Sequence, residues 1–83
     1  MNAKKIDKKD FKPYKEEKGT YAISGKGIMA VLPCGDFFND YEGKWDYQDI
    51  EDENKITVNP SIFCSPEKPC WHGYLRNGEF SST

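Results

Sequence analysis

Long apolar runs are missing from this sequence. The longest aliphatic stretch is residues 28–32, Ile-Met-Ala-Val-Leu, far short of the roughly 20 residues a membrane helix needs. The first nineteen residues carry seven lysines, and Ile6 is their only aliphatic residue beyond alanine and methionine. No secretory apolar segment is expected there. Cysteine is scarce and odd in number, with three residues. That argues against a closed disulfide framework and for a reducing cytoplasm. No internal repeat and no second domain is visible, and 83 residues make one domain. A chain this short buries a limited core. Five Phe, five Tyr and two Trp compensate, because each aromatic buries a large area.

What is present reads as strands. Ile56, Val58, Pro60, Ile62 and Cys64 are apolar at even positions, with Thr57, Asn59 and Ser61 between them. Alternation at period two means a strand with one face buried. Pro60 has no N–H to give a ladder, so it belongs at an edge or a bulge. Asn77-Gly78 predicts a type I′ hairpin turn, since both residues tolerate positive φ. That register sets Arg76 opposite Glu79 and Leu75 opposite Phe80. Upstream, Thr20–Ser24 reads as a first strand, Ser24-Gly25-Lys26-Gly27 as a turn, and 28–32 as a central strand apolar on both faces. Residues 36–43 read as a loop with Phe37, Phe38 and Tyr41. Residues 44–48 alternate again, with Trp45 and Tyr47 on one face. The predicted fold is mainly β: a single small antiparallel β-domain, sheet or sandwich, over residues 20–83. Its expected core is Tyr21, Ile23, Ile28, Val31, Leu32, Trp45, Ile56, Val58, Ile62, Leu75 and Phe80. Residues 1–19 are expected to be a basic, mobile or loosely helical tail.

The net charge of −2 hides an asymmetry. Residues 1–19 hold seven lysines against Asp7, Asp10, Glu16 and Glu17, a net +3. The remainder is net −5, with Asp46, Asp49, Glu51, Asp52 and Glu53 crowded together. An acidic body does not invite nucleic acid, which is bound chiefly by Lys and Arg. Only the N-terminal tail, with Phe11 and Tyr14 among its lysines, suits such a contact. The acidic segment suits docking on a basic protein surface instead. Its bland reading is a solvated turn. Tyr41 and Tyr47 lie just upstream, and tyrosine is a frequent interface anchor. The expected partner-binding set is therefore Tyr41, Tyr47, Asp49, Glu51, Asp52 and Glu53.

Chemistry has few candidates. Gly25-Lys26-Gly27 lacks the spacing of a phosphate loop and precedes a strand, so it reads as a turn. Cys34, Cys64, Cys70 and His72 are the soft ligands, enough in number for a tetrahedral zinc site. No two cysteines stand at the two-to-four-residue spacing of a ligand knuckle, so zinc is not the favoured reading. A cysteine beside His72 would still need an orienting group and an oxyanion hole to act as a nucleophile. The expectation is a protein that is not an enzyme and has no cofactor.

Thr57-Val58-Asn59-Pro60-Ser61-Ile62, followed by Trp71-His72-Gly73-Tyr74-Leu75 and Gly78-Glu79, resembles a small phage and prophage domain family of unknown function. Cys34-Gly35 and Trp45 fit the same pattern, over about residues 20–83. The resemblance implies a compact β-rich domain of phage origin and no activity. Together with small size and the acidic body, it points to an inhibitor of a host protein in the host cytoplasm. That host protein would be a CRISPR effector or another nuclease, blocked by surface occupation. The alternative is a zinc-stabilised structural or accessory phage module.

Overall fold

The structure is a computed structural model, and it describes residues 1–13, 15–64 and 71–83. Cys70 and Tyr14 of the sequence reading lie outside the described residues. Among the described residues, eight strands run in chain order: β1 (Lys4–Lys5), β2 (Thr20–Ser24), β3 (Gly27–Val31), β4 (Phe37–Asn39), β5 (Asp46–Gln48), β6 (Thr57–Phe63), β7 (His72–Arg76) and β8 (Glu79–Ser82). A 3-10 turn covers Lys8–Asp10, and the described residues contain no α-helix. The strands form two four-stranded sheets, β1-β2-β3-β4 and β5-β6-β7-β8. All pairings are antiparallel except β1 with β2. The mainly β, antiparallel fold expected from the sequence is the fold observed.

The C-terminal hairpin has the register its turn dictates. Leu75 pairs with Phe80 and Arg76 with Glu79, and Asn77 and Gly78 both have positive φ, 49° and 73°. In β6, Pro60 sits where the pairing with β7 shifts register, between Val58 and Ile62. A residue without an N–H is tolerated at such an irregularity. The shift turns Pro60 out to solvent while Val58 and Ile62 stay buried.

The sheets pack on a main core of Tyr21, Ile28, Ala30, Leu32, Phe38, Ile56, Val58, Ile62, Leu75 and Phe80, with Ala3 at its margin. Trp45 is partly buried against it, edge-on to Phe38 at 5.1 Å between ring centroids. Two core expectations need correction. Ile23 is only half-buried, near the end of its hairpin. Val31 belongs to a second cluster with Phe11 and Ala22, flanked by Ile6, Met29 and Phe37. The central strand is apolar on both faces because it has a core on each. The supposed loop 36–43 also contains β4, which pairs with β3 through Phe37, Phe38 and Asn39.

The second cluster explains the largest correction. The N-terminal segment is not a detached tail. Phe11 is 7% exposed and closes the outer face of the first sheet, while Ala3 is 8% exposed in the main core. Asn2 bridges to Glu79 of β8, and the Phe80 N–H donates to the Met1 carbonyl at 2.8 Å. One step later, Lys4 and Lys5 pair with Thr20 and Tyr21 of β2. The same extended segment therefore joins both sheets, and the packed unit includes residues before 20.

Two stability outcomes follow. Leu75, fully buried at the centre of this packing, should cost about 2–5 kcal/mol on mutation to alanine, read from urea denaturation. Gly78→Ala would place a Cβ against the Glu53 carbonyl oxygen and 2.8 Å from Asn54 Cα. With a φ of 73°, that substitution should cost at least about 1 kcal/mol in the same assay.

Candidate functional site

The acidic segment folds as a defined turn. Asp52 N–H donates to Asp49 C=O at 3.0 Å, and Ile56 N–H donates to Asp52 C=O at 2.8 Å. The Asp52 carboxylate accepts from Asn54 N–H at 2.9 Å. Asp49 takes a φ of 51°, a conformation its short polar side chain tolerates. Beneath the turn, the Tyr21 hydroxyl donates to the Ile50 carbonyl at 3.1 Å. Burial pushes the Tyr21 phenol up to about 12, and the charges of Glu53 and Asp52 add to that shift. The Glu53 carboxylate accepts the Lys5 N–H at 2.8 Å. Asp49, Glu51 and Glu53 remain exposed and Asp52 half-buried. Together with Lys5 and Asn54 they line a shallow, open depression.

The two tyrosines of the expected set lie elsewhere and differ from each other. Tyr41 is 60% exposed. Its ring sits beside Gly25, with Lys8 Nζ 5.2 Å from its centroid. It lines a different depression, with Gly25, Lys26 and Glu42. Tyr47 is half-buried and its hydroxyl donates to Asp40 Oδ2 at 2.7 Å. Among the described residues Asp40 is the acid that is buried, and it also accepts the N–H groups of Lys44 at 2.9 Å and Trp45 at 3.0 Å. Burial works to raise the Asp40 pKa. The N–H groups of Trp45 and Lys44, the Tyr47 hydroxyl and the Gly43 N–H outweigh it and hold the carboxyl below its ordinary value. Burial, then the hydrogen bond and charge of Asp40, raise the Tyr47 phenol well above its usual range. Asp40 and Tyr47 thus lock the turn that leads into β5. The sequence reading had no role for Asp40, and Asp40-x-x-x-Lys44-Trp45 before a strand is a weak signal for one.

The soft ligands divide. Cys34 and Cys64 come together with Asp36, and the ligand atoms of all three lie within 4.8 Å of one another. Cys34 and Asp36 flank Gly35 in the turn between β3 and β4, while Cys64 follows β6 in the other sheet. Among the described residues, His72 is outside this cluster. Its Nε2 is 2.7 Å from Ser61 Oγ across the β6–β7 pair, and its ring meets Phe63 edge-on at 6.1 Å. Asp36 was missed by the sequence reading, which looked for sulfur and imidazole. No helix among the described residues is long and apolar enough to cross a membrane.

The tyrosine shifts fix the sign of the alkaline response. Tyr21 and Tyr47 hold their protons more tightly folded than unfolded. Their contribution is complete below the unfolded value of about 10 and is lost as pH rises through the folded values. Urea midpoints should therefore fall from about pH 10 upwards. Asp40 has the opposite sign: its contribution is present at neutral pH and lost as acid protonates it. Tyr47→Phe removes a hydrogen bond to a charged group and should cost roughly 1.5–3 kcal/mol at pH 7, with a shallower alkaline decline.

The chain matches no protein-family model, no curated protein and no solved structure, which leaves its own residues as the basis of a functional reading.

Proposed function

We propose that the protein is a binding protein that works by occupying a basic surface on a partner protein, without covalent chemistry of its own. The observation that carries this reading is the acidic turn. Asp49, Glu51 and Glu53 are exposed on a backbone braced by its own hydrogen bonds and by Tyr21. Lys5 is the one cation among the residues lining the depression. Among the described residues, the ion pair present is elsewhere, Lys44 with Glu42 at 3.5 Å.

Among the described residues that line it, such a surface carries four acids to one lysine, and it already has its shape. Complementary charge on a partner speeds encounter and makes the complex salt-sensitive. A braced turn loses little conformational entropy on docking. The Lys/Arg groove of a nucleic-acid enzyme is the matching surface, because it is built to hold a polyanion. In the phage setting suggested by the resemblance, that enzyme is a host nuclease such as a CRISPR effector, and the protein is its inhibitor. Tyr41, exposed at its own site, is a second anchor only for a partner large enough to span both depressions.

The test must remove charge and keep the turn. Asp52 caps Asn54, Glu53 holds Lys5 N–H, and Asp49 has positive φ, so lysine at those positions would disturb the backbone. The combination Asp49→Asn, Glu51→Lys and Glu53→Gln retains an acceptor at 49 and 53. It should melt within a few degrees of the wild type. Wild-type protein is expected to recover a nuclease from host lysate and to compete with its DNA, more weakly as salt rises. The variant should lose at least tenfold in affinity for that nuclease. A folded variant that binds and competes as the wild type does would overturn the acidic turn as the contact.

A further inference from the structure

The cluster of Cys34, Asp36 and Cys64 uses none of the residues of the acidic turn. We propose that these three side chains hold a zinc-class divalent metal ion that links the two sheets. Their ligand atoms already lie within 4.8 Å of one another. A tetrahedral zinc with Zn–S bonds near 2.3 Å sets its sulfurs about 3.8 Å apart. Rotamer adjustment of the order of 1 Å closes that gap, with no change of strand pairing required.

The backbone on both sides is shaped for ligation. Gly35 N–H donates to Leu32 C=O, and Leu32 N–H donates to Asp36 C=O, each at 2.8 Å. Those bonds close a tight turn in which Gly35 takes a φ of 92°. The turn sets Cys34 and Asp36 on either side of one glycine, facing Cys64. On the other sheet, Cys64 N–H donates to the Trp71 carbonyl, and Trp71 N–H points at Cys64 Sγ, both at 3.2 Å. An N–H aimed at sulfur offsets the negative charge of a metal-bound thiolate and orients it.

The donor set chooses the metal. Two thiolates with one carboxylate favour zinc and its soft neighbours over magnesium or calcium, which take oxygen ligands. Among the described residues the cluster supplies three ligands, which leaves a fourth position open on a tetrahedral ion. The consequence is structural, since one bond set lies on the β3–β4 turn and the other at the end of β6. A bound ion therefore ties the sheets together in the folded state only, and its binding energy adds to folding stability.

The test uses the full chain, reduced and stripped of metal, with zinc or cobalt(II) as the probe. One equivalent of cobalt should produce thiolate charge-transfer absorption in the near ultraviolet and visible bands of tetrahedral intensity. Zinc should displace it and raise the melting temperature. Cys34→Ser should remove part of the charge-transfer band. Asp36→Asn, an exposed and shape-conserving change, should keep the fold by circular dichroism and lower metal affinity at least about tenfold. A folded wild type that shows no cobalt band and no thermal shift with excess zinc would exclude the site. Unchanged affinity in both variants would exclude this ligand set.

Discussion

The packing of Gly78 is the constraint on which most of the molecule depends. Its N–H donates to Ile56 C=O at 2.9 Å, and its carbonyl accepts from Ala3 N–H at 2.7 Å. Its missing Cβ is where the Glu53 and Asn54 backbone lies. The hairpin turn, the start of β6, the N-terminal segment and the acidic turn thus meet at one residue. Only glycine meets both demands, a φ of 73° and a backbone in contact on its side-chain side. Within a turn whose Arg76, Asn77 and Glu79 are exposed, Gly78 is buried as that junction.

From that junction the rest of the architecture follows. Ala3 is held against Gly78, so the chain enters between the sheets before it turns along β2. Phe11 is then carried over Ala22 and Val31. The first sheet gains a small second core on a face that would otherwise expose apolar residues. At the far edge, Asp40 does by hydrogen bonding what Gly78 does by contact. It gathers Lys44, Trp45 and Tyr47 into one turn and places Trp45 against Phe38.

Local patterns were legible in the sequence, and long-range meetings were not. Asn77-Gly78 and the pairs it sets, Leu75 with Phe80 and Arg76 with Glu79, need only turn chemistry. The apolar face of β6 needs only period two, and β3 needs only its unbroken apolar run. Ala3 and Phe11 were illegible because two apolar residues among seven lysines carry no periodicity, and their burial depends on a face built later in the chain. β4 was hidden because Phe37-Phe38-Asn39 is too short to alternate. The cluster of Cys34, Asp36 and Cys64 was hidden for a related reason. Its two halves come from different sheets, so no short spacing announces them, and one of its three ligands is a carboxylate.

Rigidity connects these features to the proposed binding role. Four exposed or half-exposed carboxylates on a free loop would spread apart to relieve their repulsion. Here the turn is pinned from below by Tyr21, from the side by Lys5 N–H on Glu53, and at its end by Ile56 N–H on Asp52 C=O. The carboxylates are therefore carried on a backbone held by its own hydrogen bonds. The proposed binding role draws on that fixed arrangement, since a cationic partner would meet charges already in place.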